Sequence, residues 1–515
     1  MAEENTTLNS LPALRLFFFF FQEEESPFNR MHPLRGSFCL NCLSKWSPWR
    51  RMSTRDTIEP PLSKKQQKRK MKEETITQYV GDHTKRADRV YAWGCASTGA
   101  IGIPSYLKPE KGQHPIYTVR QPARVKFMDR ANLKVTKVGC GYGFTVYVTT
   151  SFRGNRLYGT GINTDSQIGY HEFPRNTGRV LDYVIEPAQI DLPLVHRDTT
   201  NITQVACGRG HTLVLTDKEG GKDTTNITQV ACGRGHTLVL TDKEGVFTLG
   251  NNAYGQCGRP IVEGEVYGQN PRVHKMKDIP DNIAKIVCGH DHSFLLTTDG
   301  EVYSCGLGCD GQTGLGHYRT TSIPTQIKGG IEGVKITQIA STGDCVLALS
   351  EEGDVFAWGN SEYNQLSIVT DQTQINTPKY LPLKHCGKII KAASAGSKCA
   401  IVNTKGELFV WGYGILGKGP KLESATEPEM IPPPLFGCNE LEPDVSVIDV
   451  VCGLHHFVAL TNNGSVYTWG KDKHGCLGLG IQRDQYFPLK VSIPAETHSI
   501  QCGVDHTVVL CKSFC

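Results

Sequence analysis

The stretch Lys285–Gly316, KIVCGHDHSFLLTTDGEVYSCGLGCDGQTGLG, decides the fold. Two short runs in it, Ile286–Cys288 and Ser293–Thr297, consist mainly of β-branched or apolar residues, which predicts strands. Asp299-Gly300 is a strong hairpin signal, because glycine accepts the positive φ of a tight turn. The residues Glu301–Ser304 then predict a returning strand. The stretch therefore indicates consecutive antiparallel strands joined by short turns.

Two landmarks of this stretch recur along the chain. One is an aromatic or apolar residue followed by glycine at the end of a strand, and it occurs at Trp93-Gly94, Tyr158-Gly159, Leu249-Gly250, Cys305-Gly306, Trp358-Gly359, Trp411-Gly412 and Trp469-Gly470. The other is the element Cys-Gly-x-x-His, found at 140–144 (with Phe144 at the His place), 232–236, 288–292, 452–456 and 502–506, and in weaker form at 341–345 and 395–399. Self-similarity at a period of about 50 residues indicates a propeller, a solenoid or an array.

The order of the landmarks favours a closed ring. The chain enters the pattern at Trp93-Gly94, which belongs to the second half of a unit. It ends with Cys502–His506 and the strand-like Thr507–Leu510, which form a first half. A ring closed in this way leaves no open sheet edge. The sequence therefore predicts an all-β domain over 79–515, a seven-bladed β-propeller whose N- and C-terminal strands share one four-stranded blade.

The motifs over about Val90–Leu510 resemble the regulator-of-chromosome-condensation family of seven-bladed propellers. The resemblance rests on Cys-Gly-x-x-His-(Ser/Thr), Gly-x-(Val/Leu)-(Phe/Tyr), Trp-Gly and Gln-x-Gly. Phrases such as WGYGILGKGP (Trp411–Pro420) and DQYFP (Asp484–Pro488) are similar to the vertebrate mitochondrial, guanine-exchange-factor-like branch of that family.

The place directly before the His is the best candidate for partner binding. In the family it resembles, acidic residues at this place belong to the face that engages a GTPase. The resulting candidates for partner contact are Asp291, Asp344, Asp505, His292, His455 and His506. The remaining blades depart from the acidic pattern and carry Gly143, Gly235, Lys398 and His455. The repeated His residues also have a structural interpretation, in which they form hydrogen bonds to the backbone of a neighbouring blade. The Asp residues could likewise form hydrogen bonds from one blade to the next.

The sequence offers no catalytic constellation. It contains neither a Gly-x-x-x-x-Gly-Lys-(Ser/Thr) phosphate loop nor a His-Glu-x-x-His zinc motif. The pair Cys39 and Cys42 has no second pair to complete a zinc site. The sequence therefore predicts a protein that is not an enzyme, with no catalytic residue, cofactor or metal. An exchange factor needs none, because it acts by binding the nucleotide-free GTPase more tightly than the nucleotide-bound form.

The positions of the cysteines and the distribution of charge indicate the redox compartment and the kind of partner. Of the 19 Cys residues, six occupy the first position of a Cys-Gly element, which predicts buried thiols packed between blades and a reducing compartment. The segment Met31–Lys72 carries 11 Lys or Arg against two acidic residues, although the net charge of the whole chain is only +4. The propeller is therefore close to neutral and shows no global basic face for nucleic acid.

The first 75 residues are predicted to lie outside the propeller. Residues 1–30 differ in composition from all that follows, and we expect the natural protein to start at Met31. Met31–Arg55 has no acidic residue and five basic ones interleaved with Leu, Phe and Trp, which is typical of a mitochondrial transit peptide. We therefore predict a transit peptide and basic linker over 31–75 and a mitochondrial location, in the matrix or peripheral at the inner membrane. No segment is long enough to span a membrane.

One segment breaks the repeat. Asp198–Gly220 recurs letter for letter at Asp223–Gly245. The second copy runs directly into Val246–Gly250, so we expect it to form the blade. Residues 198–222 are then a surplus half-unit, which should project from the ring as a strand pair.

Two functions remain open from the sequence. The resemblance to the mitochondrial branch implies a guanine nucleotide exchange factor for a mitochondrial dynamin-related fusion GTPase, acting by protein–protein contact. The alternative, implied by the same branch, is a scaffold for mitochondrial ribosomal RNA and large-subunit assembly. Its partners would be pseudouridine synthases, which modify ribosomal RNA, and through them the large-subunit rRNA. A nuclear, histone-binding exchange factor is less consistent with the leader.

Overall fold

The computed structural model describes residues 86–151, 154–163, 168, 181–190, 202–207, 212–216, 227–234, 236–241, 245–265 and 274–514. The predictions for 1–30 and 31–75 lie outside these residues. The described chain forms seven four-stranded antiparallel sheets and one two-stranded sheet. The seven larger sheets are blades, numbered 1 to 7 below, and they confirm the predicted seven-bladed propeller.

Blade 1 closes the ring. Its strands are β1 (Asp88–Cys95), β2 (Thr118–Arg124), β29 (Glu496–Cys502) and β30 (His506–Lys512), in the order β2-β1-β30-β29. The central pair β1 and β30 is antiparallel, with Val90 opposite Leu510 and Trp93 opposite Thr507. The predicted sharing of one blade by N- and C-terminal strands is confirmed.

The other six blades run through their four strands in chain order. Blade 2 comprises β3 (Lys134–Cys140), β4 (Phe144–Ser151), β5 (Gly154–Ile162) and β6 (Tyr183–Ile190), and blade 3 comprises β9 (Ile227–Cys232), β10 (His236–Thr241), β11 (Val246–Gly250) and β12 (His274–Lys275). Blade 4 comprises β13 (Ile283–Cys288), β14 (His292–Thr297), β15 (Val302–Gly306) and β16 (Thr321–Gln326), and blade 5 comprises β17 (Ile336–Ala340), β18 (Cys345–Ser350), β19 (Val355–Asn360) and β20 (Gln374–Leu381). Blade 6 comprises β21 (Ile389–Ala395), β22 (Lys398–Asn403), β23 (Leu408–Tyr413) and β24 (Ser424–Met430), and blade 7 comprises β25 (Val447–Cys452), β26 (His456–Thr461), β27 (Val466–Gly470) and β28 (Gln485–Lys490).

Helices occur only as short pieces in the loops of the described chain. They are α1 (Pro104–Leu107), α2 (Lys126–Arg130) and two 3-10 turns at Lys384–Cys386 and Pro433–Phe436. No helix among the described residues combines the length and the apolar character that a membrane crossing requires.

The two copies of the duplicated segment take different positions. The second copy supplies β9 and β10 of blade 3, while the first copy forms β7 (Ile202–Cys207) and β8 (Thr212–Thr216), which pair only with each other. Strand β7 contacts β3 and β4 of blade 2 on one side and β9 of blade 3 on the other. The strand pair therefore lies between two blades. The sequence had instead predicted that it would project from the ring. Whether residues 198–222 are surplus stays a prediction.

The core lies in the joints between blades. The four Trp residues of the aromatic-Gly landmarks, Trp93, Trp358, Trp411 and Trp469, are fully buried. Three of them donate their indole N–H to a carbonyl in the loop of the preceding blade, Trp93 to Cys476 (2.8 Å), Trp358 to Gln312 (2.9 Å) and Trp411 to Gln365 (2.7 Å). Such a partner stabilises a buried indole, so each of these bonds joins two blades, whereas Nε1 of Trp469 has no hydrogen-bond partner among the described residues.

Candidate partner-binding face

The Cys-Gly elements of all seven blades meet at one end of the ring. Each lies where the first strand of a blade ends and the second begins, and together they surround an axial cavity of about 440 Å³. We call this end of the ring the Cys-Gly face. Because the aromatic-Gly landmark pairs with the His place, as Gly306 does with His292, the loops that follow each landmark emerge at the same face.

The Cys-Gly-x-x-His spacing has a steric cause. A Cβ atom on Gly289 would lie 2.1 Å from the imidazole of His292, and one on Gly453 would lie 2.4 Å from that of His456. The ring of the His therefore folds back over the glycine, where any side chain would collide with it. Gly306, on the opposite strand, has φ 118° and faces the backbone of His292. Glycines on both sides thus position the imidazole.

The His residues join neighbouring blades. The Nε2 atom of each His lies within hydrogen-bond distance of a hydroxyl on the next blade. The four pairs are His236 with Ser293 (2.8 Å), His292 with Ser341 (2.8 Å), His456 with Thr507 (3.1 Å) and His506 with Thr145 (3.0 Å). Ser293 and Thr145 in turn donate to backbone carbonyls. The predicted structural role of the His is present, but the partner is a side chain and not the backbone.

Two of the candidate residues for partner contact are inside these joints. His292 and His506 are completely buried. Burial, with a smaller contribution from His290, lowers the pKa of His292 to about 3, so this ring is neutral at physiological pH. A partner can sense the two rings only through the residues that they support, and a role in binding stays a prediction for both.

Two other joints lack the His–hydroxyl bond. Between blades 5 and 6 the His places hold Cys345 and Cys399, whose Sγ atoms are 3.9 Å apart. Between blades 6 and 7, Phe457 occupies the place of the hydroxyl, and the Nζ atom of Lys398 lies 5.1 Å from the centre of its ring.

The candidate carboxylates do not form one cluster. Asp291 and Asp344 lie on the adjacent blades 4 and 5, whereas Asp505 lies on blade 1, with two blades between it and this pair in either direction. Asp291 forms an ion pair with Arg234 (3.4 Å), and Asp344 accepts a hydrogen bond from Nε2 of Gln312 (3.2 Å). Burial raises the pKa of Asp344, and the charge of Asp291 acts in the same direction.

Asp505 is held beside the joint of blades 1 and 2. Its Oδ1 lies 3.2 Å from Nδ1 of His506. Burial acts to raise the pKa of Asp505, but the hydrogen bond to His506 and the charge of that ring outweigh it, with a further hydrogen bond from Cys95, so the pKa lies below its usual value. Asp505 is thus an ionised carboxylate that is only partly exposed on the Cys-Gly face.

The loops after the landmarks add charges that the sequence reasoning missed. Asp310 and Glu362 follow the landmarks of blades 4 and 5, and burial together with Asp344 and Glu362 raises the pKa of Asp310. We call Asp291, Asp310, Asp344 and Glu362 the acidic region of the face. Asp310 follows Gly306 by four residues and Glu362 follows Gly359 by three, and this closeness to the landmark was the signal that could have found them.

A basic region lies beside blades 6 and 7. It consists of Lys398, His455, Lys471 and Lys473, which interact electrostatically. His455, the remaining candidate, is half-buried, and burial followed by the three lysines lowers its pKa to about 4. The Cys-Gly face is therefore acidic over two blades and basic over two others, a polarity that the near-neutral overall charge conceals.

The repeated cysteines pack against the core between blades, as predicted, and they also border the axial cavity. Cys140, Cys288, Cys452 and Cys502 are half-buried, and the Sγ atom of Cys502 lies 3.7 Å from Nε2 of His456 on the neighbouring blade. Burial raises the pKa of Cys452 and Cys502 to about 12. These thiols are protonated and unreactive at neutral pH. Within the described ranges, no group of three or more His, Cys, Asp or Glu residues is arranged to bind a metal ion.

Comparison with known proteins places the chain in a family. The model of the regulator of chromosome condensation (RCC1) repeat matches residues 87–148, 243–296, 299–349 and 463–510. The RCC1-like G exchanging factor-like protein of Mus musculus is 47% identical over 442 residues, which cover 85% of this chain and 90% of the mouse protein. The chain belongs to the RCC1-repeat family. The Homo sapiens protein of the same name is 46% identical with the same coverage, and the resemblance read from the motifs is confirmed.

Solved structures agree with this assignment. The crystal structure of human WBSCR16 matches with a TM-score of 0.68 and 46% identity, covering 84% of this chain and 100% of that one. Yeast RCC1 (Prp20), solved bound to Kap60, matches with a TM-score of 0.51 and 19% identity over 84% of this chain and 90% of its own. The yeast match shows the shared propeller fold alone.

Proposed function

We propose that this RCC1-repeat propeller is a guanine nucleotide exchange factor for a mitochondrial dynamin-related fusion GTPase, and that it acts by contact through the Cys-Gly face. The relatives of human and mouse are named as exchanging factors. The observation that carries the proposal to particular residues is the acidic region, where Asp291 and Asp344 stand side by side on two rigid blades. The location and the class of GTPase rest on the leader composition and the family resemblance.

The geometry suits exchange by differential binding. Carboxylates that are fixed by Arg234 and Gln312 need no reordering when a basic partner surface arrives, which lowers the entropic cost of association. Nucleotide release requires only that the complex favours the empty GTPase over the nucleotide-bound one. No covalent step and no cofactor enter this mechanism.

The test is release of a fluorescent guanine nucleotide from a mitochondrial fusion GTPase in the presence of the full chain. We expect Asp291→Asn and Asp344→Asn each to slow release about tenfold, the effect of losing one charged contact worth about 1.4 kcal/mol. The matched control is Glu352→Ala, an exposed carboxylate in the hairpin between β18 and β19 at the opposite end of blade 5. Unchanged release by both Asp variants would contradict the assignment of the acidic region.

Asp505 provides a second arm of the same test. Because two blades separate it from the acidic region in either direction, a GTPase that covers only blades 4 and 5 would not touch it. A loss of exchange in Asp505→Asn would indicate that the surface contacted by the GTPase extends across the axial cavity. Proximity labelling in cells that recovers ribosomal RNA-modifying proteins, and no GTPase, would favour the assembly scaffold instead.

A further inference from the structure

Lys398 is an amine in an unusual position. It opens β22 at the place where blades 1, 4 and 5 carry an aspartate, and only 5% of the residue is exposed. Its Nζ faces the ring of Phe457 at 5.1 Å and, within the part of the chain that the structure describes, it makes no hydrogen bond or ion pair. A largely buried ammonium without an acceptor is destabilising, because it has lost part of its hydration and gained only a cation–π contact.

The groups around Lys398 do not compensate its charge. Two exposed lysines, Lys471 and Lys473, follow the landmark of blade 7, and the amide N–H of Lys471 donates to the carbonyl of His455 (3.1 Å). Lys471 and Lys398 repel each other, and the nearby thiols Cys452 and Cys476 remain protonated because burial raises their pKa.

The carboxylate of the same loop does not pair with these lysines. Asp472 is buried and its Oδ1 accepts a hydrogen bond from the amide of Leu477 (3.2 Å), while its Oδ2 has no hydrogen-bond partner among the described residues. It makes no ion pair with a described lysine. The basic region thus concentrates three ammonium groups and a neutral imidazole at one edge of the Cys-Gly face, and no described carboxylate forms an ion pair with these ammonium groups.

We propose that the basic region of the Cys-Gly face is a binding site for a phosphate monoester dianion, with Lys398 at its floor and Lys471 and Lys473 at its rim. A dianion balances more than one of the clustered charges, which a single carboxylate does not. Its oxygens point in several directions and accept from amines on different strands. A phosphodiester carries only one negative charge per group and suits the site less well. The site lies apart from the acidic region and does not depend on the GTPase.

The test uses competitive amine acetylation of the full chain, read by mass spectrometry at each lysine. In a phosphate-free buffer at pH 8, Lys398 should be acetylated, and inorganic phosphate should slow its modification about tenfold while chloride at matched ionic strength does not. Isothermal titration with inorganic phosphate should show one site. Lys471→Ala with Lys473→Ala should weaken that binding about tenfold or more, as expected for lost charged contacts.

Controls separate the site from a general charge effect. Lys379→Ala removes an exposed lysine of blade 5 and should leave phosphate binding unchanged. Because Lys471 and Lys473 are on the surface, their variants fold whether or not Lys398 tolerates substitution. Protection of Lys398 by chloride and phosphate alike, or titration without heat, would overturn the proposal.

Three probes identify the source of the phosphate. GMP, a phosphate monoester, should compete with inorganic phosphate. A short RNA oligonucleotide without a terminal phosphate should compete at least tenfold less well. Equal or stronger competition by the RNA or by an acidic peptide would overturn the assignment to a monoester, in favour of a nucleic-acid or protein partner.

Discussion

The joint between blades 4 and 5 and the joint between blades 6 and 7 occupy the same place in the repeat but are built differently. At the first, the buried His292 reaches Ser341 at 2.8 Å. At the second, the His place holds Cys399, the hydroxyl place holds Phe457, and Lys398 covers the aromatic ring. The first joint is neutral and has a His–hydroxyl bond, whereas the second contains an ammonium without an acceptor.

The difference separates framework from surface chemistry. A repeat must keep its blades in register, and the His–hydroxyl bond does so at four of the joints described here. At the joint of blades 6 and 7, where apolar packing replaces that bond, a lysine precedes the His place. Residues that depart from the repeat are therefore the ones by which a partner can recognise one blade among the seven.

The largest expected effect is acid destabilisation of the His joints. Burial lowers the pKa of both His292 and His456 to about 3, while the unfolded chain keeps the ordinary value of about 6.5. Between these values the unfolded state binds more protons, so stability falls as pH drops below 6.5. Urea unfolding should show each His contributing about 1.4 kcal/mol per pH unit from pH 6 to 4.

Replacing His292 by the residue of the neighbouring blade isolates this effect. His292→Cys should lower stability at pH 7 but give a shallower loss between pH 6 and 4, by the slope of one His. Equal slopes for the variant and the wild type would show that His292 is not the group that titrates.

Next in size is the steric contrast between two equivalent glycines. Gly289→Ala places a Cβ 2.1 Å from the imidazole of His292 and should cost about 3 kcal/mol. At Gly396 no atom lies within 4 Å and φ is 48°, so Gly396→Ala should cost only about 1 kcal/mol, the strain of a left-handed residue. Denaturant midpoints of the two variants measure the difference.

A double variant checks the cause. If the imidazole is what the new Cβ meets, Gly289→Ala should cost far less in a His292→Cys background, and the two changes should be strongly non-additive. Additive costs would place the strain in the backbone instead.

The repeat itself was predictable from sequence because its steric rules are local. Gly289 and His292 recur at fixed spacing, and so do the landmarks such as Trp358-Gly359, so both the blade count and the closure by blade 1 followed from counting. The polarity of the face did not follow, since it depends on which loops converge. Asp310 and Asp344 are 34 positions apart in the chain, and only the propeller geometry makes them neighbours.

The cysteines and the duplicated strands show a second limit. Regular spacing correctly marked Cys140 and its equivalents as thiols packed between blades, but not whether they also reach the axial cavity. That choice depends on the twist of the inner strands, which the alternation of apolar residues does not specify. Strand β7 likewise found contacts between blades 2 and 3 that no count of spacings could reveal.

Replacing Lys398 should have a smaller effect than Gly289→Ala, and it should stabilise the protein. Burial lowers its pKa to about 8 from an unfolded value of about 10.5. The unfolded state therefore binds more protons between these values, and wild-type stability should rise with pH from 8 to 10.5. Lys398→Met should be more stable at pH 7 in phosphate-free buffer by about 2 kcal/mol, after allowing about 1 kcal/mol for the lost cation–π contact.

The pH at which the gain disappears is the decisive observation. The variant and the wild type should converge as pH rises above about 10.5, where the amine is neutral in both states. A difference that is constant with pH would mean that packing against Phe457, and not charge, limits the wild type.

The smallest contrast compares acceptors at two joints. Ser341→Ala removes the hydroxyl that faces Nε2 of His292 and leaves a buried N–H without a partner, which should cost about 1.5 kcal/mol. Cys345→Ala removes a thiol 3.9 Å from Cys399 that satisfies no strong donor, so its cost should be about 1 kcal/mol or less. Ser341→Cys restores size without a good acceptor and should recover little stability. If it recovers fully, the joint of blades 4 and 5 is held by packing, and the two kinds of joint are energetically alike.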